Sequence, residues 1–156
     1  MSGLADLVFG THGRSLGDPA PVLLATDQDG ATVDLAAEYA RGPVYFYFFV
    51  RASTPVCTLH SCRLRDASEE ARARGIEVFG VSGDPPERLK KFAVRRRLPF
   101  RLLSDADGAI ARGFGVPRLL GFRLRDAFLV QAGRIVWKGH AGDSPKIFLD
   151  LIEHGR

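Results

Sequence analysis

The sequence has few cysteines, no long apolar run, and no basic segment ahead of an apolar core at its start. It contains only two cysteines in 156 residues, whereas small secreted domains build disulfide frameworks from four or more. The longest apolar run, 44–50, is far shorter than the roughly 18 residues that a membrane span requires. The first residues do not follow the pattern of a signal peptide. These absences argue against a disulfide scaffold and a membrane protein, and they predict a cytoplasmic location.

The composition is that of an ordinary soluble globular protein, with 46% apolar and 26% charged residues. The length predicts one domain over residues 1–156. A net charge of +4 would fit an anionic partner, but a solvated basic surface is the commoner explanation. The composition therefore gives no reason to expect a membrane or nucleic-acid partner.

The order of apolar segments and turns predicts an α/β fold. Residues 43–50 are apolar throughout, which indicates a strand buried on both faces. Further strands are predicted at 22–26, 32–35, 76–82, 100–103, 127–130 and 134–138, and helices at 36–41, 54–74, 85–97, 109–114 and 145–154. Asp84 is predicted to cap the helix that begins with two prolines. The alternation predicts a three-layer α/β sandwich with a central mixed sheet, parallel at its centre and antiparallel at the hairpin edge.

Cys57 follows the buried strand after a short loop, three residues beyond Thr54 and in the first turn of the predicted helix. A free cysteine has a pKa near 8.5, so only about 3% is thiolate at pH 7. A helix N-terminus or a nearby cation lowers that pKa. The position therefore predicts a reactive thiolate rather than a buried small hydrophobic residue.

Cys62 follows five residues later. In a regular helix this separation places the two Cα atoms about 8.7 Å apart and about 140° around the axis. A disulfide requires about 4.4 to 6.8 Å between them. The two cysteines can therefore form a disulfide only if the first turns of the helix unwind.

Thr54-Pro55-Val56-Cys57-Thr58, followed by Cys62 and RLRD, resembles the peroxiredoxins. The four-residue gap between the cysteines resembles the bacterioferritin-comigratory, or Q-type, branch. The likeness extends over most of the chain, through GDPAP, DQDG, GIEVFGVSGDPPERLKKFA, LPFRLLSDADGAIARGFGV and RDAFLVQAGRIV. It implies a thioredoxin-like fold, in agreement with the predicted sandwich. It also implies a thiol peroxidase that acts on hydrogen peroxide and organic hydroperoxides in antioxidant defence and needs no metal or organic cofactor.

The resemblance also implies a role for each cysteine. Cys57 matches the peroxidatic cysteine, which peroxide oxidises to a sulfenic acid. Cys62 matches the resolving cysteine, which then forms an intramolecular disulfide with Cys57. A dithiol protein of the thioredoxin type would reduce that disulfide. The chain is expected to be a monomer or a weak dimer.

Three further residues match the family's active site. Thr54 matches the threonine that orients the peroxide, and Pro55 the proline that shields the thiolate from water. Arg125 matches the arginine that stabilises the thiolate and the developing charge. Arg123, two residues away and predicted to lie on the same strand face, is the alternative to Arg125. The chain departs from the family at Val56, where glycine is usual.

His60 stands where the Q-type branch usually has Glu or Gln. It lies three residues from Cys57, so both side chains can lie on one helix face. It either tunes the thiolate or is a partly exposed polar residue, and the second interpretation is favoured.

Two other functions are less favoured. Cys57, His60, Cys62 and His140 would be soft ligands for a metal, but the spacing of the cysteines differs from that of thioredoxin-fold copper chaperones. The cations at 90, 91 and 95–97 would fit a nucleic acid, but they lack interleaved aromatics for base stacking. A solvated helix face is the favoured explanation for these cations.

Overall fold

The computed structural model describes residues 16–49, 65, 68, 71–73, 75–116, 118–119, 122–123 and 126–140. Their centre is a seven-stranded sheet in the order β2-β1-β5-β4-β3-β8-β9. Its strands are β1 (Leu24–Asp27), β2 (Thr32–Asp34), β3 (Val44–Phe48), β4 (Glu77–Ser82), β5 (Arg101–Ser104), β8 (Asp126–Gln131) and β9 (Arg134–His140). A separate pair is formed by β6 (Arg118–Leu119) and β7 (Phe122–Arg123).

The sheet is mixed. Strand β4 runs parallel to β3 on one side and to β5 on the other, while β8, β9, β1 and β2 join by antiparallel pairing. The predicted mixed sheet with a parallel centre and an antiparallel hairpin edge is therefore confirmed. The hairpin of β1 and β2 adds a second antiparallel edge beside β5, a position that was not predicted from the sequence.

Helices lie on both faces of this sheet. They are α1 (Leu35–Arg41), α2 (Pro86–Arg96) and α3 (Ala109–Phe114), together with helical residues at 65, 68 and 71–73. One face carries α2 and Ala71, packed with Tyr45 and Tyr47. The opposite face carries α1 and α3, packed with Phe46 and Phe48. The predicted three-layer sandwich is confirmed.

Strand β3 lies between the two apolar layers and contributes side chains to both. All five of its residues are buried, and their side chains alternate between the two faces as the pleat requires. The Phe46 ring centroid lies 4.9 Å from that of Phe114 in α3, and the Tyr47 centroid lies 5.5 Å from that of Phe49. This burial on both faces explains why the strand is apolar at every position.

Local side-chain chemistry sets the turns beside these strands. Asp27 Oδ1 accepts hydrogen bonds from the backbone N–H groups of Asp29 and Ala31, and these bonds stabilise the turn between β1 and β2. Ala132 and Gly133, both at positive φ, connect β8 to β9, as a two-residue hairpin of the mirror-image type requires. The predicted strand at 22–26 begins two residues later, at Leu24.

The prediction that Asp84 caps α2 is wrong. The helix begins at Pro86 and its N-cap is Pro85, which provides no side-chain hydrogen bond. Asp84 Oδ2 accepts a hydrogen bond from Ser82 Oγ at 3.0 Å instead, and Asp84 Oδ1 accepts one from Arg88 Nη1 at 3.4 Å. The carboxylate therefore stabilises the end of β4 and the first turn of α2 through side-chain contacts.

Among the helices of the described residues, none is long and apolar enough to cross a membrane. The helix predicted at 145–154 lies outside the described residues.

Candidate active site

The segment that carries the two cysteines follows the carboxyl end of β3. The backbone N–H of Phe49 donates to the carbonyl of Val81 at 3.0 Å, so pairing with β4 continues one residue beyond β3. Residues 50–64 lie outside the described residues, and with them lie Thr54, Pro55, Cys57, His60 and Cys62. The structure thus describes the strand that leads into the predicted active site, and the roles of these five residues stay predictions.

A largely buried polar cluster joins the carboxyl end of β4, which is a neighbour of β3 in the sheet, to that of β5, which lies beyond β4. Its side chains belong to Ser82, Asp84, Ser104 and Asp105. Ser104 Oγ donates to the Asp84 carbonyl at 2.7 Å, and the Asp105 N–H donates to the Ser82 carbonyl at 2.7 Å. Because carboxyl ends of parallel strands share one edge, this cluster and the end of β3 lie on the same edge of the sheet.

Asp105 connects this cluster to α3. Its carboxylate is buried and accepts the N–H groups of Ile110 and Ala111, at 2.8 and 3.0 Å. These N–H groups belong to the first turn of α3, where the backbone donors have no partner within the helix. The short helix is thereby fixed against β3, with the Phe114 ring 5.8 Å from that of Phe48 and 4.6 Å from that of Phe128.

The structure describes only one of the two candidate arginines. Arg123 lies in β7, which pairs with β6 outside the main sheet. That Arg123 and Arg125 share a strand face stays a prediction. Arg125 lies outside the described residues but directly precedes Asp126, the first residue of β8. Strand β8 pairs with β3, and Tyr47 is opposite Ala127. The start of β8 therefore lies beside the end of β3.

The helix predicted over 54–74 is confirmed at every residue of it that the structure describes. Arg65, Ser68 and the residues 71–73 are helical. Arg65 Nη1 donates to the Arg96 carbonyl at 3.0 Å, and Arg72 Nη1 donates to the Pro99 carbonyl at 3.2 Å. Ser68 is fully buried. The second half of this helix is therefore fastened to the end of α2.

The described residues give little support to the alternative functions. No group of three or more His, Cys, Asp or Glu side chains close enough to bind a metal ion occurs among them. Three of the four ligands proposed for a metal lie outside the described residues. On α2, Lys90 forms an ion pair with Asp29, and Lys91 and Arg95 are exposed, as expected for a solvated helix face.

A cavity of about 360 Å³ opens at the same sheet edge as the polar cluster. It is lined by β1, by Pro86 and by the loop that joins β5 to α3. Neither this cavity nor the polar cluster was predicted from the sequence. The pair Ser82 and Asp84 carried a local signal for the cluster, since serine and aspartate two residues apart commonly hydrogen-bond through their side chains.

Comparison with known proteins identifies the relatives of this chain. The AhpC/TSA family matches residues 16–138. The chain is 43% identical over 100 residues to peroxiredoxin Bcp of Escherichia coli K12, a match that covers 64% of each protein. It is 44% identical over 103 residues to a chloroplastic peroxiredoxin Q of Gentiana triflora, covering 66% of this chain and 47% of that protein. Thus the matched stretch spans less than two thirds of either relative.

The fold also has a solved counterpart. The crystal structure of peroxidoxin BcpB from Mycobacterium tuberculosis superposes with a TM-score of 0.82 at 31% identity. The superposition covers 90% of this chain and 97% of that one. The predicted thioredoxin-like fold and the predicted resemblance to the Bcp and Q-type peroxiredoxins are confirmed.

Proposed function

The chain belongs to the AhpC/TSA family, and on that premise we propose that it is a thiol peroxidase that reduces hydrogen peroxide and organic hydroperoxides through Cys57. The observation that carries the proposal is the family match over 16–138, which includes the strand, the threonine and both cysteines of the predicted site. The support from the structure is β3, a fully buried strand that ends nine residues before Cys57 in the sequence.

In the first step, the Cys57 thiolate attacks one oxygen of the peroxide and the O–O bond breaks. The sulfur becomes a sulfenic acid, and the second oxygen takes up a proton and leaves as water or an alcohol. Thr54 orients the peroxide, and Pro55 excludes water from the thiolate. Arg125 stabilises the thiolate and the charge that develops on the departing oxygen.

In the second step, the Cys62 thiol attacks the sulfenic acid sulfur. A disulfide forms between Cys57 and Cys62, and one water molecule is released. A dithiol of the thioredoxin type then exchanges with this disulfide and restores both thiols. The 8.7 Å spacing worked out above, about 2 Å too long for a disulfide, requires the first turns of the helix to unwind for this step.

We further propose that residues 1–156 form a single domain, because one sheet takes its strands from residues 24 to 140. A cytoplasmic location and a monomeric or weakly dimeric state stay predictions.

The test is peroxide consumption with a dithiol reductant by the full chain and two variants. Cys57→Ser should abolish turnover, because it removes the nucleophile. Cys62→Ser should consume about one equivalent of peroxide and then stop as a sulfenic acid, which a dimedone adduct detects by mass. Normal turnover by Cys57→Ser would refute the proposal, and sustained turnover by Cys62→Ser with the same reductant would refute the intramolecular disulfide.

The arginine assignment has its own test. Arg125→Gln should slow sulfenic acid formation by about 100-fold or more, the usual cost of removing one charged stabiliser from a reacting centre. Arg123→Gln is the matched control and should change the rate by less than about threefold. The reverse order of effects would assign the role to Arg123.

A further inference from the structure

We propose that the outer face of α2 is the surface on which the dithiol reductant docks, and that the reductant presents an acidic surface to it. The inference rests on the proposed function, because it concerns the protein that restores the two thiols. It adds the surface that binds this partner and the charge that the partner carries at the contact.

The outer face of α2 is a patch of cations around one exposed aliphatic side chain. It consists of the exposed residues in the second half of the helix and at its C-cap, namely Lys90, Lys91, Val94, Arg95 and Arg97. Val94 is 66% exposed. Lys90 and Lys91 precede it by one helical turn, and Arg97 follows it by three residues, so cations lie on both sides of it along the helix.

Two of these cations have no acidic partner among the described residues. The one acid of α2 is Glu87, in the first turn. Lys90 forms an ion pair with Asp29, whereas the side chains of Lys91 and Arg97 form no ion pair in the part of the chain that the structure describes. An exposed face of this charge attracts an anionic partner and raises the rate of encounter with it. The surface that complements it is therefore acidic.

The exposed valine favours a protein partner over a nucleic acid. Protein interfaces combine an apolar centre with a polar rim, whereas single-stranded nucleic acids are bound by cations together with aromatic side chains for base stacking. The one aromatic residue of α2, Phe92, is fully buried. The face is solvated in the free chain, as required of a surface whose partner binds and leaves in every catalytic cycle.

The end of this face lies close to the helical residue that follows Cys62 by three positions. Arg65 Nη1 donates to the carbonyl of Arg96, the last residue of α2, at 3.0 Å. Three residues of chain span at most about 11 Å in any conformation, so the sequence alone keeps Cys62 within about 11 Å of Arg65. A standard protein interface is about 800 Å² on each partner, or about 30 Å across. A protein that reaches Cys62 can therefore also contact the end of α2.

The experiment compares two reductants of the full chain. One is thioredoxin, recycled by its NADPH-dependent reductase, and the other is dithiothreitol, a small uncharged dithiol that requires no docking surface. The efficiency kcat/KM for each reductant is measured at saturating hydrogen peroxide in about 50 and about 500 mM NaCl. For the wild type, the thioredoxin efficiency should fall by about tenfold at the higher salt concentration, because salt screens the attraction, and the dithiothreitol efficiency should stay within about twofold.

Lys91→Glu reverses one charge of the face. It should lower the thioredoxin efficiency by about fivefold at the lower salt concentration and by less than about twofold at the higher one, and adding Arg97→Glu should deepen the loss to about tenfold or more. Lys138→Glu is the matched control. It makes the same change of net charge on β9, at the far edge of the sheet, and should leave the thioredoxin efficiency within about twofold of wild type. All three variants should keep the wild-type efficiency with dithiothreitol.

Val94→Ser tests the apolar centre of the face. It should lower the thioredoxin efficiency by about fivefold at both salt concentrations, because burial of an aliphatic side chain is not screened by salt. Dithiothreitol turnover should again be unchanged.

An unchanged thioredoxin efficiency in Lys91→Glu, an equal loss in Lys138→Glu, or an equal loss with dithiothreitol would overturn the inference. So would a wild type that turns over with dithiothreitol but not with thioredoxin. If Lys91→Glu weakened the binding of a single-stranded oligonucleotide and left the thioredoxin efficiency unchanged, the face would belong to a nucleic-acid site and the inference would fail. Failure of the proposed function is distinguishable from all of these, because the wild type would then consume no peroxide with dithiothreitol either.

Discussion

Asp105 should contribute far more to stability than Asp107, although both carboxylates accept backbone N–H groups at the start of α3. Asp105 is 1% exposed, and its two oxygens accept the N–H groups of Ile110 and Ala111. Asp107 is exposed, and Asp107 Oδ1 accepts the Ala109 N–H at 3.1 Å. Water can replace the lost acceptor at an exposed N–H, but it does not reach a buried one without disrupting the packing.

The magnitude follows from the number of N–H groups left without an acceptor. An unsatisfied buried donor costs about 1 to 3 kcal/mol, so Asp105→Ala, which leaves two of them, should lower the free energy of unfolding by about 2 to 6 kcal/mol. Asp105→Asn keeps one acceptor oxygen and should cost about half of that. Asp107→Ala should cost less than about 1 kcal/mol.

These differences can be measured by urea unfolding, with the fluorescence of Trp137 as the signal. This residue is the only tryptophan, and it stacks on Tyr45 with a centroid distance of 6.2 Å, so unfolding should change its emission. Equal losses for Asp105→Ala and Asp107→Ala, or a loss below about 1 kcal/mol for Asp105→Ala, would refute the reasoning from burial.

Three further predictions concern the core, the alkaline limit and the thiolate. Gly80→Ala would place a Cβ 2.8 Å from Leu102 Cδ2 and 2.9 Å from Tyr47 Cε1, so this overpacking should lower the free energy of unfolding by about 1 to 3 kcal/mol in urea. Burial raises the pKa of the Tyr39 phenol above its ordinary value of 10. The folded state therefore keeps this proton at a pH where the unfolded chain loses it, and the free energy of unfolding should fall as pH rises above about 10. Tyr39→Phe should make that fall smaller in urea midpoints measured at pH 9 and 11. His60→Gln should leave both the Cys57 pKa, read from thiolate absorbance, and the peroxide rate unchanged if the residue is only an exposed polar side chain, and a change in either would favour the tuning role.

Elements whose residues carry a local signal could be predicted from the sequence. The run of apolar residues at 43–50 indicates a strand buried on both faces, and β3 has that burial. Gly115 follows the short helix α3, whose bounds at 109–114 agree with the prediction. Burial on both faces requires apolar residues in the strand, and the positive φ after the helix favours glycine. Both requirements are visible in the sequence as residue types.

Asp84 shows where a local signal has two physical outcomes. An aspartate before two prolines matches a helix start, because it can accept the first free N–H groups. Ser82 offers the same carboxylate a hydrogen bond two residues earlier, and the folded chain uses that bond. Sequence alone does not rank these two, since their free energies are similar.

The pairing of distant segments could not be predicted from the sequence, for a different reason. The pairing of β1 with β5 joins Thr26 to Ser104, and no periodicity encodes which strand lies beside which. The two-residue strands β6 and β7 are too short to show any period. The order of the sheet, the polar cluster at its carboxyl edge and the placement of Arg123 outside β8 therefore required the structure.

The two fixed points around the cysteines limit where the chemistry can be accommodated. On one side Phe49 is 2% exposed and bonded to Val81, with its ring 6.1 Å from that of Phe92. On the other side Arg65 is fastened to the carboxyl end of α2. Opening at Phe49 would expose buried aromatic core and cost several kcal/mol, whereas loss of the Arg65 hydrogen bond would cost about 1 kcal/mol. If Cys57 and Cys62 form the proposed disulfide, we therefore expect the rearrangement to stay between Phe49 and Arg65.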